Sequence, residues 1–205
     1  MSKTFLSQLD WRFATKAFDP SKKVSEDDLA KILHAIRMAP TSYGTQPFHV
    51  TVVTDPALRE KLKEVSYGQA QVTDASHVLI FQARTNIDAR VDEYVELATS
   101  GDAAAKEAMA GYTGMMHGAM QAKKGAELAW AARQTYIALG FGLAAAMELE
   151  IDACPMEGFD PDGVDKVLGN PPEQKTLAYM SIGYRAKGPD RPKVRFPESE
   201  LFDRR

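Results

Sequence analysis

The chain has almost no cysteine: Cys154 is the single one among 205 residues. An intrachain disulfide is excluded, no cysteine cluster offers zinc-site spacing, and a reducing cytoplasm is the expected setting. Long apolar runs are also missing. The longest uncharged stretch near the middle, residues 134–147, falls short of the ~20 apolar residues that cross a bilayer. The opening MSKTFLSQLDWRF has neither the apolar core nor the small-residue cleavage site of a secretory signal, so no leader and no membrane span are expected. Charge of one sign is not in surplus. Lys and Arg sum to 25 against 28 for Asp and Glu, a net charge of −3, which leaves no general basic surface for nucleic acid or an anionic membrane.

The usual catalytic signatures are absent too. His34, His49, His77 and His117 are scattered, without the HExxH or paired-histidine spacing of a metal site. No GxSxG elbow, GxGxxG fingerprint or GxxxxGK[ST] loop occurs, and Gly140-Phe141-Gly142 lies inside a helical run. Cys154 precedes a proline in an apolar stretch, which reads as a buried, inert thiol rather than a nucleophile.

What is present is the composition of an ordinary globular chain, 44% hydrophobic and 26% charged. Its length suits one domain over residues 1–205, with two small ones as the second reading. Within residues 1–18, Phe5, Leu6, Leu9 and Phe13 are spaced for one face of a short helix. Ser25 precedes Asp28 by three, a capping signal, and Leu29, Ile32, Leu33 and Ile36 continue a helix over 25–39 that Pro40 stops. A polar loop over 41–47 leads to a strand over 48–53 and a helix over 56–65. The apolar run 77–81 predicts a strand buried on both faces. Two helices are expected in 88–124, broken near Ser100-Gly101. Residues 126–148 form a helix apolar nearly all round, which other elements or a second subunit must cover. A short apolar segment at 151–154, a loop at 155–160, a helix at 162–168 and a strand at 177–184 follow. The charged tail 187–205, with Pro189, Pro192 and Pro197, is not core and either frays or reaches across another surface.

Two basic pairs stand out. Arg12 and Lys16 share a face if the first helix continues through them, and Lys193 and Arg195 have strand-like spacing. Solvated surface charge is one reading; convergence into a phosphate site without a glycine-rich loop is the other.

The order of motifs along the chain adds to this. Arg12 with Thr15-Lys16-Ala17-Phe18-Asp19, Pro40-Thr41-Ser42 with Gln46-Pro47-Phe48-His49, Asp74-Ala75-Ser76-His77-Val78, Pro155-Met156-Glu157-Gly158-Phe159-Asp160 and Lys193-Val194-Arg195 run in family order. With them the chain resembles the FMN-dependent nitroreductases, in particular the oxygen-insensitive NAD(P)H nitroreductase and dihydropteridine reductase branch. The resemblance implies an α+β fold, with a central mostly antiparallel sheet flanked by helices, and an intertwined homodimer with FMN sites at the subunit interface. It makes the helix over 126–148 the dimer core and the tail an arm around the partner.

Carried over by position, Arg12, Lys193 and Arg195 resemble the clamp on the FMN phosphate and ribityl chain, a role suited to guanidinium forks. Lys16 resembles the residue near flavin N1 and the C2 carbonyl, where an attraction across about 4 Å amounts to ~1 to 4 kcal/mol at intermediate to high dielectric. Pro40, Thr41, Ser42 and Gln46 resemble the loop contributed by the partner, and Pro155, Met156, Glu157 and Gly158 the loop whose backbone N–H groups face N5 and O4. Phe13 and Ala14 stand where the branch commonly has His-Ser, and Gln71 where it often has a lysine, which implies a lower flavin potential. Tyr67 and Met116 fall at the substrate pocket, Met115 and Met116 replacing aromatic residues there. The implied activity is two-electron ping-pong hydride transfer from NADH or NADPH to a small nitroaromatic or quinone-type acceptor. An enone or dihydropteridine reductase, or a non-catalytic FMN-binding, storage or sensing protein, are the alternatives. No side chain need act as acid or base, because the cofactor carries the chemistry.

Overall fold

The computed structural model describes residues 4–205; the first three residues of the expected N-terminal segment lie outside it. Helix α1 (Phe5–Trp11) opens on a reciprocal cap between Thr4 and Ser7, and α2 (Glu26–Arg37) on Ser25, whose side chain accepts from the Asp28 N–H. Strand β1 (Phe48–Val53) and helix α3 (Pro56–Glu64) follow, with Pro56 at the first turn of the helix, where its missing N–H has no cost. The short helix α4 (Gln71–Asp74) leads into β2 (His77–Arg84). Helices α5 (Ile87–Thr99) and α6 (Ala103–Gln121) are separated at Ser100-Gly101, both in the left-handed region. Helix α7 (Glu127–Glu148), β3 (Asp152–Met156), α8 (Pro161–Leu168), β4 (Gln174–Gly183) and the short α9 (Glu198–Leu201) complete the chain.

The four strands form one antiparallel sheet in the order β1-β2-β4-β3. Alternation along β2 sends Leu79 and Phe81 to one face, where α2 and α7 cover them with Ile32, Ile36 and Ala138. Val78 and Ile80 face the other side, against Leu62, Val72, Phe159 and Val164. A third cluster joins α5, α6 and the start of α7 around Val91, Met116, Met120 and Trp130. The strand expected to be buried on both faces is therefore an inner strand, and helices lie on both sides of it.

Three expectations need correction. The first helix does not carry Arg12 or Phe13: it ends at Trp11, and Phe5, Leu6 and Leu9 are exposed rather than packed. Pro155 and Met156 belong to strand β3, not to a loop. A proline is tolerated there because β3 is an edge strand. The β4 strand begins at Gln174, earlier than the expected 177. Among the described residues no helix is long and apolar enough to cross a membrane.

Candidate functional site

The segment after α1 is extended. Arg12 closes the helix with its N–H on the Gln8 carbonyl and then turns to φ −70°, ψ 133°. Residues 13–16 run beside the edge strand β3, with Ala14 bridged in parallel to Ala153 and the Thr15 N–H 3.2 Å from the Ala153 carbonyl. Arg12 and Lys16 thus share no helix face. Their spacing of four nonetheless keeps them on one side of an extended strip, since side chains alternate along it.

The tail brings the second basic pair to the first. Lys193 Nζ donates to the carbonyls of Leu9 and, at 3.1 Å, of Asp10. These are end groups of α1, where the helix dipole favours a cation. Burial lowers the Arg12 pKa and the neighbouring Arg195 lowers it further. Lys193 is lowered in turn by burial, then by Arg12 and Arg195, with Asp10 alone acting against them. Three cations gathered so closely repel one another, and among the described residues none of them forms an ion pair. A donor set of this kind fits a phosphate, which a guanidinium binds with two parallel hydrogen bonds.

Next to this cluster is a cavity of about 380 Å³, walled by Phe13, Ala14, Lys16 and Ala17 and by the turn 187–191. Lys16 Nζ lies 3.5 Å from the Cys154 sulfur. Cys154 is fully buried, and burial pushes its thiol pKa up, with Lys16 and Gln71 pulling it down. Gln71, buried in α4, therefore meets Lys16 at the same thiol. Beyond β3, Gly158 accepts from Gln69 Nε2, and a Cβ there would lie 3.0 Å from that nitrogen. Glu157 accepts from the Tyr136 hydroxyl at 2.6 Å, and burial followed by this carboxylate raises the tyrosine pKa.

The remaining residues stand elsewhere. Thr41 Oγ1 accepts from the Gln46 N–H at 3.0 Å, Gln46 Nε2 donates to the Arg37 carbonyl at 2.6 Å, and the Ser42 N–H donates to Gln134 of α7 at 2.9 Å. This loop, with Pro40 before it, carries Tyr43 and Gln46 at positive φ and feeds β1 at the end paired with Ala83. Arg12–Lys16 flanks β3, on the opposite edge and nearer the Gly183 end of the sheet. Three inter-strand steps of about 4.8 Å separate the edges by roughly 14 Å. One chain does not bring the two groups together. Tyr67 is 74% exposed at φ 53° beyond α3, whereas Met116 is 0% exposed inside the third cluster. Met116 is thus buried in one chain, while Met115 is the exposed one of the pair.

Two residues of the site escaped the sequence reading. Arg185 lies 4.3 Å above the Trp11 ring and 4.5 Å above the Phe13 ring, and its Nε donates to Asp152 at 2.6 Å. The one sequence signal was a carboxylate set between Ile151 and Ala153 in an apolar stretch.

Comparison with known proteins identifies the family. The Nitroreductase family signature matches residues 9–184. A Staphylococcus epidermidis protein with a provisional NAD(P)H nitroreductase name is 37% identical over 216 residues, covering 98% of this chain and 97% of its own. A provisionally named nitroreductase from Exiguobacterium sibiricum, solved in complex with FMN, superposes with a TM-score of 0.85 at 19% identity over 100% and 99% of the two chains. A gut-bacterial enone reductase of fatty acid saturation superposes at 0.81, also at 19% identity, over 98% of each. The chain belongs to the nitroreductase family and has its fold, and by that membership it is an oxidoreductase.

Proposed function

We propose that this chain is a single-domain, FMN-dependent NAD(P)H oxidoreductase that works as a homodimer on small electron-poor acceptors, nitroaromatic or quinone-type. The observation that carries the reading is the cluster of Arg12, Lys193 and Arg195, three mutually repelling cations that form no ion pair among the described residues, beside a cavity that Lys16 lines. Bound FMN supplies two-electron hydride chemistry on its own ring system. Arg12, Lys193 and Arg195 hold its phosphate, with the backbone of Phe13 and Ala14 alongside. Lys16 offsets negative charge at the pyrimidine side, a preorganised cation costing no rearrangement when charge develops. Gln71 offers a neutral hydrogen bond near Lys16. Pro155, Met156, Glu157 and Gly158 border the ring, and Pro40, Thr41, Ser42 and Gln46 complete the site from the partner. Tyr67 is placed at the acceptor side. A cytoplasmic setting belongs to the same reading, supported by one buried, unpaired cysteine.

The test is a visible spectrum of the purified protein before and after anaerobic NADH and NADPH, with the released cofactor identified. A flavin band that bleaches, followed by parallel initial-rate lines with a nitroaromatic acceptor, is the expected result. Intersecting lines would refute the ping-pong order, and a flavin that neither nucleotide reduces would refute the reductase. The shared fold of the enone reductase favours including enones in the acceptor panel, and a preference for them over nitroaromatics and quinones would reassign the substrate class.

A further inference from the structure

We infer that Arg185 is the positioning residue of the cation cluster: gripped by Trp11 and Phe13 and neutralised by Asp152, it sets where the Arg12 guanidinium stands. The inference deepens the FMN reading above and rests on it. Trp11 and Phe13 flank Arg12 in sequence, and both rings lie against one guanidinium, at 4.3 and 4.5 Å. Arg12 is extended at φ −70°, ψ 133°. Its neighbours on either side meet on one guanidinium. Fixing the two rings fixes the Arg12 backbone from both sides.

The guanidinium is itself anchored in the sheet. Asp152, 4% exposed, accepts from Arg185 Nε at 2.6 Å and from the Arg185 backbone N–H at 2.8 Å. The same carboxylate takes the Thr15 hydroxyl at 3.3 Å, one residue before Lys16. A bridge between Phe18 and Arg185 holds the far end of the segment. One ion pair thus pins the strip 11–18 at several points. An unpaired fourth cation here would add to the repulsion among Arg12, Lys193 and Arg195; paired with Asp152, Arg185 contributes order without net charge. Lysine cannot replace it, because an ammonium has no planar face to lie between two rings. Phe13, which departs from the polar residue of the resembling branch, acquires a reason on this account: it is half of the grip.

The experiment compares FMN with riboflavin, which lacks the phosphate, by flavin fluorescence titration of the purified full chain stripped of flavin. Arg185→Lys is expected to raise the FMN dissociation constant roughly tenfold, equivalent to about 1.4 kcal/mol. Riboflavin binding should stay within about twofold, and with Arg12→Gln already in place Arg185→Lys should have little further effect on FMN, since residues in one network are non-additive. A purely structural role weakens both flavins alike, and that outcome, or unchanged FMN affinity, overturns the assignment. Should Arg185→Lys fail to fold, Phe13→Leu, which leaves the Arg185–Asp152 pair intact, decides by the same selectivity. A wild-type chain that binds neither flavin, or both equally, instead overturns the phosphate-clamp reading, and the positioning role falls with it.

Discussion

His117 of α6 stands between two carboxylates of α5, with Nδ1 2.8 Å from Asp88 and Nε2 3.1 Å from Asp92. The hydrogen bond to Asp88 raises its pKa first, and the two negative charges raise it further. A raised folded-state pKa means that the stabilisation is fully present below the unfolded value of about 6.5 and is lost as pH climbs through the folded pKa. His49 and His77 act in the opposite sense: burial lowers both pKa values, so they favour the fold at high pH and oppose it as pH falls below about 6.5. The His117 contribution is therefore read as a difference. His117→Gln is expected to lower the thermal midpoint relative to wild type at pH 5.5 and to match it near pH 9, with the gap closing between. A gap that is flat across this range would show that the α5–α6 fork is not charged when folded.

At the scale of elements, the fate of α7 turns on one glycine. Gly142 faces α2 and β4, and a Cβ there would lie 3.0 Å from Ile36 Cγ1 and 3.1 Å from Met180 Sδ. Neither neighbour is free to move, since both are buried in the cluster that closes α2 and α7 on the sheet. Gly142→Ala is expected to destabilise the fold by about 1 to 3 kcal/mol through overpacking, despite alanine's better helix propensity. Urea unfolding checks this as a lower midpoint at unchanged slope; an equal or higher midpoint would mean that helix propensity outweighs the crowding. The elements themselves were legible from periodicity, caps and breakers: Ser25 opened α2, Ser100-Gly101 parted α5 from α6, and β1 lies on its expected residues. Local pattern failed where tertiary contacts decide. The ring grip of Arg185 joins residues far apart in sequence, Pro155 is in a strand only because that strand is an edge, and Met116 is buried by α5 and α7 rather than by anything adjacent. The basic pairs were readable as pairs; that Lys193 reaches the end of α1 was not.

For the whole molecule, the sheet order poses a problem that one chain does not solve. The Thr41–Gln46 loop feeds one edge strand and the Arg12–Lys16 strip flanks the other, at opposite ends. In the proposed homodimer, a two-fold partner would remove the difficulty by presenting its own loop to this chain's cations. The surface offers the means: Leu128, Tyr136, Ile137 and Phe141 leave an apolar outer face on α7, and Val194, Phe196, Leu201 and Phe202 project from the tail without core contact. Each exposed apolar side chain buried fully in an interface contributes about 1.5 to 3 kcal/mol. Ile137→Asp places a carboxylate on that face without touching any proposed flavin contact. Sedimentation at micromolar concentration is expected to show a dimer for the wild type and a monomer for the variant, with FMN affinity reduced at least about tenfold. On the proposed dimeric site the two losses occur together, because the monomer would keep Arg12, Lys193 and Arg195 but lack the loop from the second chain. A monomeric variant that binds FMN as tightly as the wild type would place the whole site within one chain, and the Thr41–Gln46 loop would then need another role.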